Sequence, residues 1–146
     1  MAGIAGGQRE DGVILSVVVP TFNERDNVAP LVGRLQDIFG SLRWEVVFID
    51  DDSPDGTAGL VRELAARDAR VRLVHRVGRR GLAGACIEGM LATTAPYVAV
   101  MDADLQHDAR LLPEMLRTLR AQDLDLVVGS RHVAGGSLGT WSEDRQ

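Results

Sequence analysis

Lysine is missing from this chain: all sixteen basic residues among its 146 are arginine. A Walker-type phosphate loop needs a lysine on the phosphates, and Schiff-base chemistry needs a lysine amine, so both are excluded. Cysteine is nearly missing too. Cys86 stands alone, which rules out an intrachain disulfide and a cysteine metal cluster. It lies among Ala, Gly and Ile and is expected to be a small buried apolar residue rather than a reactive thiol. No apolar run approaches the roughly 18 residues of a membrane span. Excess positive charge is absent: the formal net charge is -5, which argues against a duplex nucleic-acid partner. Residues 1–12 are Gly/Ala-rich and then polar, without the basic start and long apolar stretch of a signal peptide. They are expected to form a mobile tail, with one domain over 13–146 assigned to the cytoplasm.

What is present is the composition of a folded domain, 45% hydrophobic and 25% charged. Short runs rich in Val, Ile and Leu at 13–19, 44–50, 71–75, 97–102 and 124–129 read as buried strands. Helical stretches fall between them. Asp26 is placed to cap a helix over 27–42, with Val28, Leu31, Val32, Leu35 and Ile38 on one face. Ser53 before Pro54 suggests a capped helix to about residue 67. A helix over about 82–93 follows Gly81, and Asp108 is placed to cap one running to about residue 121. This βαβαβαβαβ order predicts an α/β fold with a mostly parallel central sheet flanked by helices. After Gly129 the pattern dissolves into a polar, glycine-containing segment, and the domain is expected to be incomplete at its C-terminus.

In such sheets ligands bind at the C-terminal strand ends, where the acids of this chain gather. The second run ends in Asp50-Asp51-Asp52 and the fourth in Asp102-Ala103-Asp104. Strand alternation puts Asp102 and Asp104 on one side. Two carboxylates so placed suit a hard divalent cation, with Gln106 offering a further oxygen; capping or a solvated loop accounts for one acid but not the pair. His107 reads either as a ligand or as a loop residue. Phe22 and Glu24, after Pro20, offer a flat ring and an acceptor, though from spacing alone this equally reads as a plain βα connection. Arg79-Arg80 before a helix start reads as an anion site or as a solvated pair. Arg131, which follows the fifth run in Gly129-Ser130-Arg131, likewise reads either as a phosphate contact or as a solvated charge.

Four stretches taken together resemble the family 2 glycosyltransferases of the GT-A fold, above all the polyprenyl-phosphate (dolichyl-phosphate) mannose synthases. They are VVVPTFNERDNV (Val17–Val28), FIDDDSPDGT (Phe48–Thr57), VMDADLQHD (Val100–Asp108) and VVGSRHVAGG (Val127–Gly136), in the family's order. The resemblance implies a GT-A, Rossmann-like nucleotide-sugar-binding fold. It implies that Pro20, Phe22, Glu24, Ile49 and Asp51 surround the nucleoside, with Asp51 reading the base. Asp102, Asp104 and Gln106 would hold Mg²⁺ or Mn²⁺ against the diphosphate, Arg131 would contact phosphate, and Trp141 and Arg145 look like a Trp-x-x-x-Arg element beside the acceptor. Asp104, Arg131 and Arg145 would be the catalytic set. Phe22 stands where the family has Tyr, which keeps stacking and loses a phenol hydrogen bond.

The implied reaction is inverting transfer of a hexose, mannose from GDP-mannose, to a polyprenyl phosphate at the cytoplasmic face of a membrane. Family members continue past this point, so the isolated chain is expected to bind nucleotide and metal and to transfer poorly or not at all. Alternatives are a polyprenyl-phosphate glucose synthase or other family 2 transferase, and an inactive nucleotide-sugar-binding fragment. A phospho-acceptor signalling domain shares the strand count but needs a lysine after its fifth strand, which this chain lacks.

Overall fold

The computed structural model describes residues 12–130. Its sheet has four strands, β1 (Leu15–Thr21), β2 (Trp44–Asp50), β3 (Val71–His75) and β4 (Tyr97–Val100), in the order β3-β2-β1-β4 and parallel throughout. β1 and β2 are covered on both faces, which is why they read as unbroken apolar runs rather than as alternation. Period-two geometry still sorts their side chains. Leu15, Val17, Val19, Val46 and Phe48 join the larger core with residues of α1 (Arg25–Phe39), α2 (Thr57–Ala65) and α4 (Leu112–Gln122). Val18, Val47 and Ile49 face the other way, onto α3 (Leu82–Leu91). Each such side chain contributes about 1.5–3 kcal/mol by leaving water.

Gly89 sets how closely α3 approaches. A Cβ there would lie 2.3 Å from Val18 Cγ1 and 3.0 Å from Ile49 Cδ1, so only glycine lets the helix seat on the sheet. α1 stops where Gly40 takes φ 51°, earlier than the expected Leu42.

The chain runs β1-β2-β3 outward in one direction and then returns to place β4 on the far side of β1. The strand order therefore reverses between β1 and β4, and the crevice outside their C-terminal ends is the place where such sheets bind ligands.

Four expectations are corrected. α1 starts at Arg25 with Glu24 at its N-cap, so Asp26 lies within the first turn and does not cap the helix. Residues 124–129 form no strand, and Leu126 and Val128 are more than 70% exposed. A strand needs a neighbour for its backbone groups and a face to bury, and among the described residues this segment has neither. α2 starts at Thr57, not after Ser53, because Gly56 at φ 87° carries the chain into the helix and Ser53 is occupied elsewhere. Cys86 is partly rather than fully buried. Asp108 does act as a cap, its carboxylate accepting from the Arg110 N–H, but of a 3-10 turn over Ala109–Leu111 that leads into α4 at Leu112. Among the described residues no helix is long and apolar enough to cross a membrane.

Candidate active site

Four loops leave the C-terminal edge of the sheet. The loops after β1 and β2 are fastened together. Three successive backbone N–H groups, of Asn23, Glu24 and Arg25, donate to the side chains of Ser53 (2.9 Å), Thr57 (3.2 Å) and Asp55 (3.2 Å). Asn23 and Asp52 both sit near φ +57°, where a short polar side chain is tolerated. Asp55 also accepts from the Thr57 N–H and hydroxyl, so it does the capping anticipated for Ser53. Burial pushes its carboxyl upward, but the bonds from Thr57 and the Arg25 N–H outweigh that and hold it below the usual range. Phe22 is left half exposed at the rim and Pro20 partly exposed. Glu24 is partly buried and accepts from the Asn27 amide at 2.6 Å.

The acid run after β2 divides by direction. Asp50 is fully buried and accepts from the Thr21 hydroxyl and from both the N–H and hydroxyl of Ser53. Asp51 points the other way. Its Oδ1 lies 2.6 Å from Arg76 Nη1 and its Oδ2 accepts from the Gly81 N–H at 2.8 Å. Asp52 meets His75 Nε2 at 2.8 Å, while His75 Nδ1 lies 2.8 Å from Arg62. Arginine can only donate, so Nδ1 accepts and the Nε2–H donates to Asp52. Ile49 is entirely buried on the α3 side and forms floor rather than wall.

The pair Arg79-Arg80 does not make an anion site with the start of α3. Arg79 is tied to Glu88 through two bonds of 2.8 and 2.7 Å, and the Gly81 N–H is taken by Asp51. Arg80 instead lays its guanidinium over the Phe22 ring, 4.8 Å from the centroid.

Beyond β4 the construction changes. Met101 and Ala103 are buried, whereas Asp102, Asp104 and Gln106 are exposed, so alternation does set the two carboxylates on one side. Arg34 of α1 holds the turn through the Leu105 carbonyl at 3.3 Å, and Leu105 takes φ 61°. The Gln106 N–H donates to Asp104 Oδ1 at 3.0 Å, and among the described residues no donor meets Oδ2. His107 Nδ1 accepts from the Asp102 N–H at 3.2 Å, which puts the proton on Nε2, 3.6 Å from Asp102 Oδ2. His107 therefore props Asp102 and presents no free lone pair to a metal. Burial, and then the Asp102 carboxylate, push the Cys86 thiol up, which disfavours its thiolate. Among the described residues no three His, Cys, Asp or Glu side chains gather as a complete cage. Two carboxylates and an amide fit instead a hard cation that takes the rest of its shell from phosphate and water.

Arg131, Trp141 and Arg145 lie outside the described residues. Arg76, Asp55 and Thr57 were missed by sequence reasoning. The only signal for the last two was their spacing with Ser53 in Ser53-Pro54-Asp55-Gly56-Thr57.

Comparison with known proteins bears on the family and the fold. A dolichol-phosphate mannosyltransferase of Pyrococcus furiosus is 36% identical over 127 residues, covering 87% of this chain and 36% of that protein. An undecaprenyl-phosphate mannosyltransferase of Micrococcus luteus is 37% identical over 132 residues, covering 88% of this chain and 53% of that one. The chain thus spans between about a third and a half of these relatives. Among solved structures, a mannosyltransferase of Pyrobaculum calidifontis in complex with GDP-Man and Mn²⁺ superposes with a TM-score of 0.63 at 29% identity, over 74% of this chain and 32% of that one. Mannosyl-3-phosphoglycerate synthase of Rubrobacter xylanophilus shares the fold, with a TM-score of 0.57 at 23% identity over 73% of this chain and 36% of that one. The family described as glycosyl transferase family 2 matches residues 16–146, and with its GT-A architecture the chain belongs to that family.

Proposed function

We propose that this chain is the donor-binding part of a glycosyltransferase that moves mannose from GDP-mannose to a polyprenyl phosphate, with inversion and with help from Mg²⁺ or Mn²⁺. The observation that carries the reading is the exposed set Asp102, Asp104 and Gln106 at the end of β4, beside the reversal of strand order. The names of the two mannosyltransferase relatives support the sugar and the lipid phosphate. The GDP-Man and Mn²⁺ of the Pyrobaculum calidifontis structure support the donor and the ion.

Asp102, Asp104 and Gln106 would hold the cation, which when bound offsets negative charge developing on the departing diphosphate. Phe22 and Pro20 offer the base an apolar rim. Glu24 and Asp51 supply carboxylates at either side, over the floor formed by Ile49. Arg131 would add positive charge at the phosphates, and Trp141 and Arg145 would orient the acceptor. The bond from the anomeric carbon to the diphosphate oxygen breaks as an acceptor phosphate oxygen bonds to the opposite face of that carbon. That oxygen is already anionic, so the chain needs no strong general base to generate the nucleophile. A lipid phosphate acceptor places the protein at the periphery of a membrane's cytoplasmic face.

Calorimetric titration of GDP and of UDP with Mn²⁺ tests the reading, on wild type and on the Asp102→Ala, Asp104→Ala double variant. Metal-dependent GDP binding that weakens at least about a hundredfold in the variant, or ~3 kcal/mol, is expected. A preference for UDP removes GDP-mannose as donor, and binding of neither by folded protein removes the transferase reading.

A further inference from the structure

Arg76 follows β3 directly, is 3% exposed, and touches none of the carboxylates proposed to hold the cation. A buried guanidinium is stable only where its donors are matched, and its contacts converge on one turn. Nη1 lies 2.6 Å from Asp51 Oδ1 and donates to the Gly81 carbonyl at 3.1 Å. Nε donates to Glu88 Oε1 at 3.1 Å. The other oxygen of Asp51 takes the Gly81 N–H at 2.8 Å. Asp51 and Arg76 thus grip both backbone groups of Gly81, which stands at φ 126° where a side chain would be strained. Glu88 is shared with Arg79, so the turn from Arg76 to Gly81 is tied to both β2 and α3.

A slot in α3 receives the guanidinium. A Cβ on Gly84 would fall 2.7 Å from Arg76 Nη2, so the absence of a side chain there lets that end of the guanidinium approach the helix. The same turn carries Arg80, whose guanidinium covers the Phe22 ring. One buried cation therefore fixes the direction of the Asp51 carboxylate and the placement of the residue facing Phe22.

Resting on the donor-site reading above, we propose that Arg76 is a positioning residue of the nucleoside site: it acts through Asp51 and Gly81 to hold the β3–α3 turn against the base, and Gly84 is glycine to admit it. Lysine at this position keeps the charge but is a point donor that cannot serve Asp51, Gly81 and Glu88 together.

The test compares wild type with Arg76→Lys and Gly84→Ala. The second variant should fold, because the clash falls on the far end of a flexible side chain. Three quantities are measured: Mn²⁺-dependent GDP affinity by calorimetry, Mn²⁺ binding alone by electron paramagnetic resonance, and exchange of the Gly81 amide by NMR. Both variants are expected to weaken GDP by about tenfold, the scale seen when an outer-shell partner is removed. They should also speed Gly81 exchange and leave Mn²⁺ binding alone unchanged. A merely structural role would lower the melting temperature without moving GDP affinity of the folded protein. Unchanged GDP affinity, or unchanged Gly81 exchange, in either folded variant overturns the proposal. If wild type binds neither GDP nor UDP while Gly81 exchange still responds to Arg76→Lys, the donor-site reading itself has failed and the positioning role falls with it.

Discussion

The two sides of the crevice are built on opposite terms. On the β1–β2–β3 side, Asp50, Asp51, Asp52 and Asp55 each have protein partners, and the loops are bound to one another. On the β4 side, Asp102 and Asp104 are exposed, and among the described residues their carboxylates accept a single backbone hydrogen bond, from the Gln106 N–H to Asp104. Both sides are rich in carboxylates, so counting acids does not distinguish them. Their partners do. A carboxylate surrounded by donors is part of the scaffold, whereas an exposed pair on one side of the chain is open to a cation.

The contrast breaks most readily at Asp50. Removing its carboxylate in Asp50→Ala leaves the Thr21 hydroxyl and both Ser53 donors without their acceptor, and is expected to lower stability by about 3 kcal/mol. Urea unfolding measures this, and a loss under about 1 kcal/mol would mean the scaffold side is not locked as described.

A smaller effect is expected in acid. The bidentate bonds from Arg79, followed by that from Arg76, hold the Glu88 carboxyl at about 2, against an ordinary 4.5. In that window the unfolded chain binds the extra proton, so this group's stabilisation is complete above 4.5 and disappears as pH falls toward 2. Melting curves at descending pH should show a shallower acid decline in Glu88→Gln than in wild type; parallel declines would remove the Arg79–Glu88–Arg76 link from the account.

The smallest effect sharpens the other side. Replacing both Asp102 and Asp104 by Ala should leave unfolding free energy within about 0.5 kcal/mol of wild type, despite its expected effect on ligand binding. A loss of several kcal/mol would make the pair scaffold after all.

What the sequence discloses follows the same division. β1 and β2 were legible because residues buried on two faces leave unbroken apolar runs, and β3 and β4 as short Val-containing stretches between helical segments. The Asp102/Asp104 pair was legible because strand alternation continues past Val100 into the loop. The fifth strand misled, since Val127 and Val128 carry strand preference but local preference cannot supply a sheet neighbour. The run Asp50-Asp51-Asp52 is uniform as text, and only the fold assigns one acid to Ser53, one to Arg76 and one to His75. Arg76 was invisible for a related reason: a lone arginine in a polar turn carries no periodic signal, and its meaning depends on a missing side chain eight positions on, at Gly84.

The grip of Ser53, Thr57 and Asp55 on three consecutive N–H groups has a consequence for protein engineering. The first two motifs are one part written in two places, because the backbone of one completes the side chains of the other. A chimera that grafts only the Pro20–Asp26 segment from a distant family member brings in three donors whose own acceptors stay behind in the source protein. Grafts that carry both segments together preserve the joint, so recombination between relatives should tolerate crossovers after Thr57 far better than crossovers between the two motifs.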